Sequence, residues 1–174
     1  MPRDIDVCDL VGAYPICASC GDQRVMRDAS AIWSLGSRGW VLGPTFDSFV
    51  CERCGRCNLN WLVDETFRTK RVRRLNDELR HGQADHASIM VTTGIKAKGE
   101  PFLAAVTKAV IDFNTFTEGN DPHGEHDFGS IDVEGEKVFW KIDYFDLKLE
   151  GHSLDAANPL LTHRVLTIML ASEY

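Results

Sequence analysis

Two short cysteine pairs constrain this chain more than any other feature. Cys17-Ala18-Ser19-Cys20-Gly21 and Cys51-Glu52-Arg53-Cys54-Gly55 repeat one pattern, with 30 residues between the pairs. Two cysteines separated by two residues can turn both sulfurs toward one ion. The following glycine lets the backbone curl beneath it and aim N–H groups at the thiolates. Two such knuckles supply four sulfurs, a set that suits tetrahedral Zn²⁺ and leaves no open coordination position. The sequence therefore predicts one structural Zn²⁺ per chain on Cys17, Cys20, Cys51 and Cys54. Iron in a rubredoxin-like site and redox-active thiols use the same residues and are the alternatives. Cys57 continues the spacing of Cys51 and Cys54 and competes as a ligand. We read it, with Cys8, as an inert thiol.

The four cysteines resemble the zinc-ribbon family over residues 14–60. Between the pairs lie Ile32, Trp33, Trp40, Val41, Phe46, Phe49 and Val50, punctuated by Gly36, Gly39 and Gly43-Pro44. That pattern predicts brief antiparallel strands, with the aromatics either packing a thin ribbon or stacking on nucleic-acid bases. Residues 1–62 are assigned to this module, which is too small to bury a sizeable core unaided.

Compartment follows from the ends and the cysteines. The N-terminus has no apolar core or cleavage pattern, and no apolar run approaches the ~20 residues of a membrane span. The expectation is a cytoplasmic protein without a membrane partner, whose six cysteines hold metal rather than disulfides.

Charge divides the chain. The net −7 resolves into +2 over residues 1–108 and −9 over residues 109–174. Arg68, Lys70, Arg71, Arg73, Arg74 and Arg80 form a basic cluster. Lys70, Arg71, Arg73 and Arg74 are the candidate nucleic-acid contacts, weighed against a merely solvated helix face.

Residues 63–174 read as a second, α+β domain. A helix is predicted over 64–80, with Phe67, Arg71, Leu75 and Leu79 on one side, stopped by His81-Gly82. Residues 88–93 predict a strand ending at Gly94. A second helix starts at Pro101 and carries Phe102, Leu103, Val106, Ala109, Val110, Phe113 and Phe116 at helical steps, ending before Glu118. Residues 128–133 and 137–145 predict a hairpin, with Val138, Trp140, Ile142 and Tyr144 on one face. Residues 164–171 suit a buried strand, or a helix. The fold class is α+β: a zinc ribbon followed by a small antiparallel sheet with two helices.

The loop at residues 118–127 concentrates titratable groups. In the catalytic reading His123 and His126 ligate a second metal, with Glu125, Asp121 or Asp127 as partners and Asp143 and Asp146 contributed by the neighbouring strand. In the structural reading a tight Asn120-Asp121-Pro122 turn feeds a strand and His126 fixes the loop by bonding a carboxylate. No HExxH, Walker or GxSxG pattern is present.

Three blocks carry a second resemblance: residues 120–129 (NDPHGEHDFG), residues 139–144 (FWKIDY) and residues 164–174 (RVLTIMLASEY). With Arg74-Leu75-Asn76-Asp77 they are similar to the domain of unknown function 3768 family, over about residues 70–174. That resemblance implies a small bacterial protein, often of a plasmid or other mobile element, and carries no established activity.

The functional expectation is a non-enzymatic zinc-binding protein that acts on a macromolecular partner, either nucleic acid or a host-defence or replication protein. The alternatives are a metal-dependent hydrolase using loop 118–127 and an acidic nucleic-acid mimic built on residues 109–174.

Overall fold

A computed structural model describes residues 5–174. The chain forms two compact units, Asp6–Asp64 and Glu65–Tyr174.

After a 3-10 turn at Val7–Asp9, the first unit is built of strands. It contains β1 (Ala13–Cys17), β2 (Val25–Ser34), β3 (Gly39–Cys51), β4 (Gly55–Cys57) and β5 (Leu59–Val63). β1 pairs antiparallel with β5, and β2, β3 and β4 form a separate three-stranded antiparallel sheet. The expected brief strands include one long hairpin. β2 and β3 span 10 and 13 residues, with Trp33 opposite Trp40 near the tip and Val25 opposite Cys51 at the base. Register shifts between Arg27 and Ala31 mark bulges, and Gly43-Pro44 falls on the bulged strand, where a proline does not break the ladder.

The second unit packs helices against a four-stranded sheet. It contains α1 (Glu65–Arg80), β6 (Ala87–Val91), α2 (Thr93–Ala97), α3 (Glu100–Ile111), β7 (Phe128–Val133), β8 (Glu136–Phe145) and β9 (His163–Leu170). The strand order is β6-β9-β8-β7. The α+β expectation holds, with two amendments. β6 lies parallel to β9 while the other pairs are antiparallel, and α2 is a third, five-residue helix. β9 is a central strand buried on both faces, which explains its unbroken apolar run.

The β7–β8 hairpin turns on Glu134 and Gly135, both at positive φ (51° and 83°). That geometry suits the right-handed twist of the flanking strands. Val138, Trp140 and Ile142 point into the core, where they meet Phe102, Val106 and Val110 of α3. Gly129 sits opposite Trp140. A Cβ there would lie 2.5–2.6 Å from Cε2 and Cζ2 of the indole. Gly129→Ala is therefore expected to lower the stability of this unit by about 2 kcal/mol or more, because a fully buried ring has no room to retreat. Chemical denaturation measures it.

Two helices depart from their sequence patterns. α1 runs as predicted, but its buried positions are Val72, Asn76, Leu79 and Arg80, while Phe67 is half exposed. α3 ends at Ile111 rather than before Glu118. Phe113 and Phe116 leave the helix and reach the core from an extended segment, each edge-on to Trp140. The reason is tertiary. Nη1 of Arg80 donates to the carbonyl oxygens of Val110 and Phe113, both at 3.0 Å. These bonds occupy carbonyls that the helix end leaves free, and place a cation at its C-terminus.

Candidate metal centre and the acidic–histidine loop

Each knuckle sits where strands end. Cys17 closes β1, and residues 18–24 lead into β2. Cys51 closes β3, and residues 52–54 lead into β4. Gly21 and Gly55 adopt positive φ (72° and 80°), which a side chain would strain. The backbone N–H of Arg53 points to Sγ of Cys51 at 3.4 Å.

The four sulfurs converge. Sγ of Cys17 lies 3.3 Å from that of Cys54, Cys20 is 3.7 Å from both Cys51 and Cys54, and all four ligand atoms lie within 4.8 Å of one another. Sulfurs at the corners of a tetrahedron with ~2.3 Å metal–sulfur bonds stand about 3.8 Å apart, so the set fits one such ion with little adjustment. Electrostatics point the same way. Against the upward push of burial, hydrogen bonds from the Cys20 backbone, the Cys54 thiol and the Ser19 backbone hold the Cys17 thiol down to about 6. Cys54, bonded to Cys17 and Cys20, is pushed up. Four thiols this close cannot all ionise without a cation among them. Cys57, opposite Phe49 on β4, is outside the set of four, and Cys8 is exposed.

Cys17 and Cys51 are the buried residues of the first unit; each is 1% exposed, and no other position between Asp6 and Asp64 is buried. The aromatics build no buried core there. Trp33, Trp40 and Phe46 are at least half exposed. The cysteine cluster occupies the place of a hydrophobic core.

The loop of residues 118–127 is held by α1. Asp121 is buried and its Oδ1 accepts the backbone N–H groups of Glu125 and His126. His126, at φ 56°, places Nδ1 3.0 Å from Oδ1 of Asp77 and Nε2 3.7 Å from Oδ2 of Asp121, with its ring stacked 3.6 Å from Phe116. Asp77, the carboxylate that orients His126, lies on a different element and carries no local motif. A neighbouring knot joins Asn76 to Glu125 O, to the Tyr144 hydroxyl and to Nε of Arg164, while Tyr144 donates to Glu125. Burial raises the carboxyl groups of Glu125 and Asp127 and lowers Arg164.

Among the described residues, His123, Asp143 and Asp146 do not gather around His126. His123 is exposed, Asp143 pairs with Lys141 at 2.8 Å, and Asp146 caps its own turn by accepting the N–H groups of Lys148 and Glu150. Among the described residues, only the four cysteines bring three or more His, Cys, Asp or Glu ligand atoms around one point. A cavity of about 420 Å³ opens beside His126, lined also by Asp77, Arg80, Asp112 and Asn114. Both ring nitrogens of His126 face carboxylates.

The basic cluster turns largely inward. Nε of Arg71 donates to Ala157 O and Nε of Arg73 to Gly124 O, at 2.8 and 2.7 Å, and Arg68 pairs with the buried Asp155 at 3.0 Å. Lys70 and Arg74 face solvent, Arg74 with Glu78 at 3.7 Å. Some of the acidic residues are likewise engaged within the unit. Asp121 and Asp155 are buried, and Glu173 accepts from Thr92, Gly94 N and Leu170 N.

No helix among the described residues is long and apolar enough to cross a membrane. Residues 91–173 match the model of a family described as a protein of unknown function, DUF3768. The match begins after α1, so the Arg74–Asp77 block lies outside it. No curated protein and no solved structure matches the chain.

Proposed function

We propose that the protein is a non-enzymatic zinc protein. The ion on Cys17, Cys20, Cys51 and Cys54 stands in for a hydrophobic core, and the first unit presents its β2–β3 hairpin to a macromolecular partner. One observation carries the reading: the four sulfurs gather in a unit whose only buried residues are two of the ligands. Zinc suits the site because four thiolates around a closed position supply folding energy and no reactive water. The exposed Trp33, Trp40 and Leu42 favour a protein partner over nucleic acid, since Arg71 and Arg73 are spent on carbonyls.

Titration with duplex and single-stranded oligonucleotides in low salt tests the choice of partner class. The expected result is no binding tighter than the ~100 μM of weak non-specific contact. Tight, salt-sensitive binding that is lost in a Lys70→Ala/Arg74→Ala variant would replace the protein partner with a nucleic acid.

A further inference from the structure

The β2–β3 hairpin carries an apolar surface that its own unit leaves open. By register, Trp33 opposite Trp40, Ala31 opposite Leu42 and Ala29 opposite Thr45 share one face. Trp33, Trp40 and Leu42 are 53%, 71% and 75% exposed, and the two indoles meet edge to face at 5.7 Å. Between Ala29 and Phe46 the only charged residue is Arg38, in the turn. Arg27 shares the face by its spacing and holds Asp47 at 2.6 Å, yet the Asp47 side chain stays 90% exposed.

We propose that this face docks on the same face of a second copy of the chain, the two hairpins stacking antiparallel about a two-fold axis through Leu42. At ~3.3 Å per residue, Arg38 lies about 13 Å from Leu42 toward the tip, and the register sets Asp47 level with Asp28, about 10 Å toward the base once both bulges are allowed for, a difference that the arginine side chain spans. An axis at Leu42 therefore sets Arg38 of each copy over Asp47 of the other. It also sets the Trp33–Trp40 pair over the small Ala29 and Thr45, so that large meets small along the stack. The exposed parts of Trp33, Trp40 and Leu42 amount to roughly 400 Å² per copy, taking at most ~250 Å² for each whole aromatic side chain. That is below the ~800 Å² of a standard interface and sets a reversible dimer rather than a permanent one.

A lipid surface is a poorer occupant. The open edge of β2 would leave backbone groups unpartnered in hydrocarbon, and Arg38 would enter first. The proposal rests on the metal-stapled reading above, because the hairpin begins beside one knuckle and ends in the other.

Sedimentation equilibrium of the full, zinc-loaded chain tests it. The expected mass rises from 19.5 kDa toward twice that value. Its midpoint falls on the order of 10 μM, as a small interface implies. Trp40→Ser/Leu42→Ser is expected to remain monomeric. Arg38→Asp should weaken association about tenfold, and Arg38→Asp/Asp47→Arg should restore it. A wild-type protein still monomeric at about 300 μM, or a Trp40→Ser/Leu42→Ser variant that dimerises as wild type does, overturns the proposal. So does a monomer that co-sediments with phosphatidylcholine–phosphatidylglycerol vesicles through Trp40 and Leu42. Zinc content measured on the same samples separates the two claims. A monomer carrying one zinc overturns the dimer alone. Metal-free protein overturns the stapled reading, and a dimer that persists without metal then stands by itself.

Discussion

Removing the metal is expected to unfold residues 6–64 while residues 65–174 stay folded. The first unit has no buried side chain apart from Cys17 and Cys51, so burial of apolar surface cannot offset the entropy of ordering its chain. Structural zinc contributes roughly 10–16 kcal/mol in small Cys/His modules, which makes such modules unfolded without metal. The second unit keeps its own core around Trp140, Val106, Val138 and Ile168. Amide hydrogen exchange after chelation separates the two: protection is lost across β2–β5 and retained across β8 and β9. Cys51→Ser is expected to reproduce the loss. Protected amides in β2 and β3 of the metal-free protein would contradict it.

Arg80→Ala is expected to cost the second unit about 3–5 kcal/mol, the range for breaking a buried ion pair by removing one partner. Domains of ordinary stability have only ~5–15 kcal/mol in total. Arg80 is 4% exposed and lies over the rings of Phe116 and Trp140, with its charge on Asp77 at 2.6 Å and on two carbonyls at the end of α3. Asp77 in turn holds His126. One substitution therefore frees the end of α3, the Phe113–Phe116 segment and the loop at residues 118–127. Arg80→Lys is not expected to rescue it, because a single ammonium cannot reproduce the planar fork. Urea unfolding monitored through Trp140 measures the loss, and a change below ~1 kcal/mol would contradict this role.

What was legible in the sequence was local. The knuckles and the Glu134-Gly135 turn are written in residues a few positions apart, and spacing alone identifies them, whereas the apolar run of β9 fits a strand or a helix until its neighbours are known. What was not legible depends on partners far along the chain. Phe113 and Phe116 continue the period of α3 after the helix has ended, because Arg80, 30 residues upstream of Val110, takes its terminal carbonyls. The arginines of α1 look like a phosphate-binding stripe, since nothing local shows that Ala157 O, Gly124 O and Asp155 await three of them. Trp33 and Trp40 suit both a packed ribbon and a base-stacking surface. Nothing local decides between the two, and no second layer in their unit covers them. That His126 fixes the loop through a carboxylate is legible locally, but which carboxylate is not, because Asp77 lies 49 residues away on α1.

The central claim is that one tetrahedral ion replaces a core. Elemental analysis joined to X-ray absorption at the metal edge tests it most directly on protein purified without added metal. The account predicts one zinc per chain, bound by four sulfurs at ~2.3 Å, and a colourless protein. Iron at the site, a nitrogen or oxygen ligand in place of a sulfur, or a folded first unit with no metal at all would contradict it.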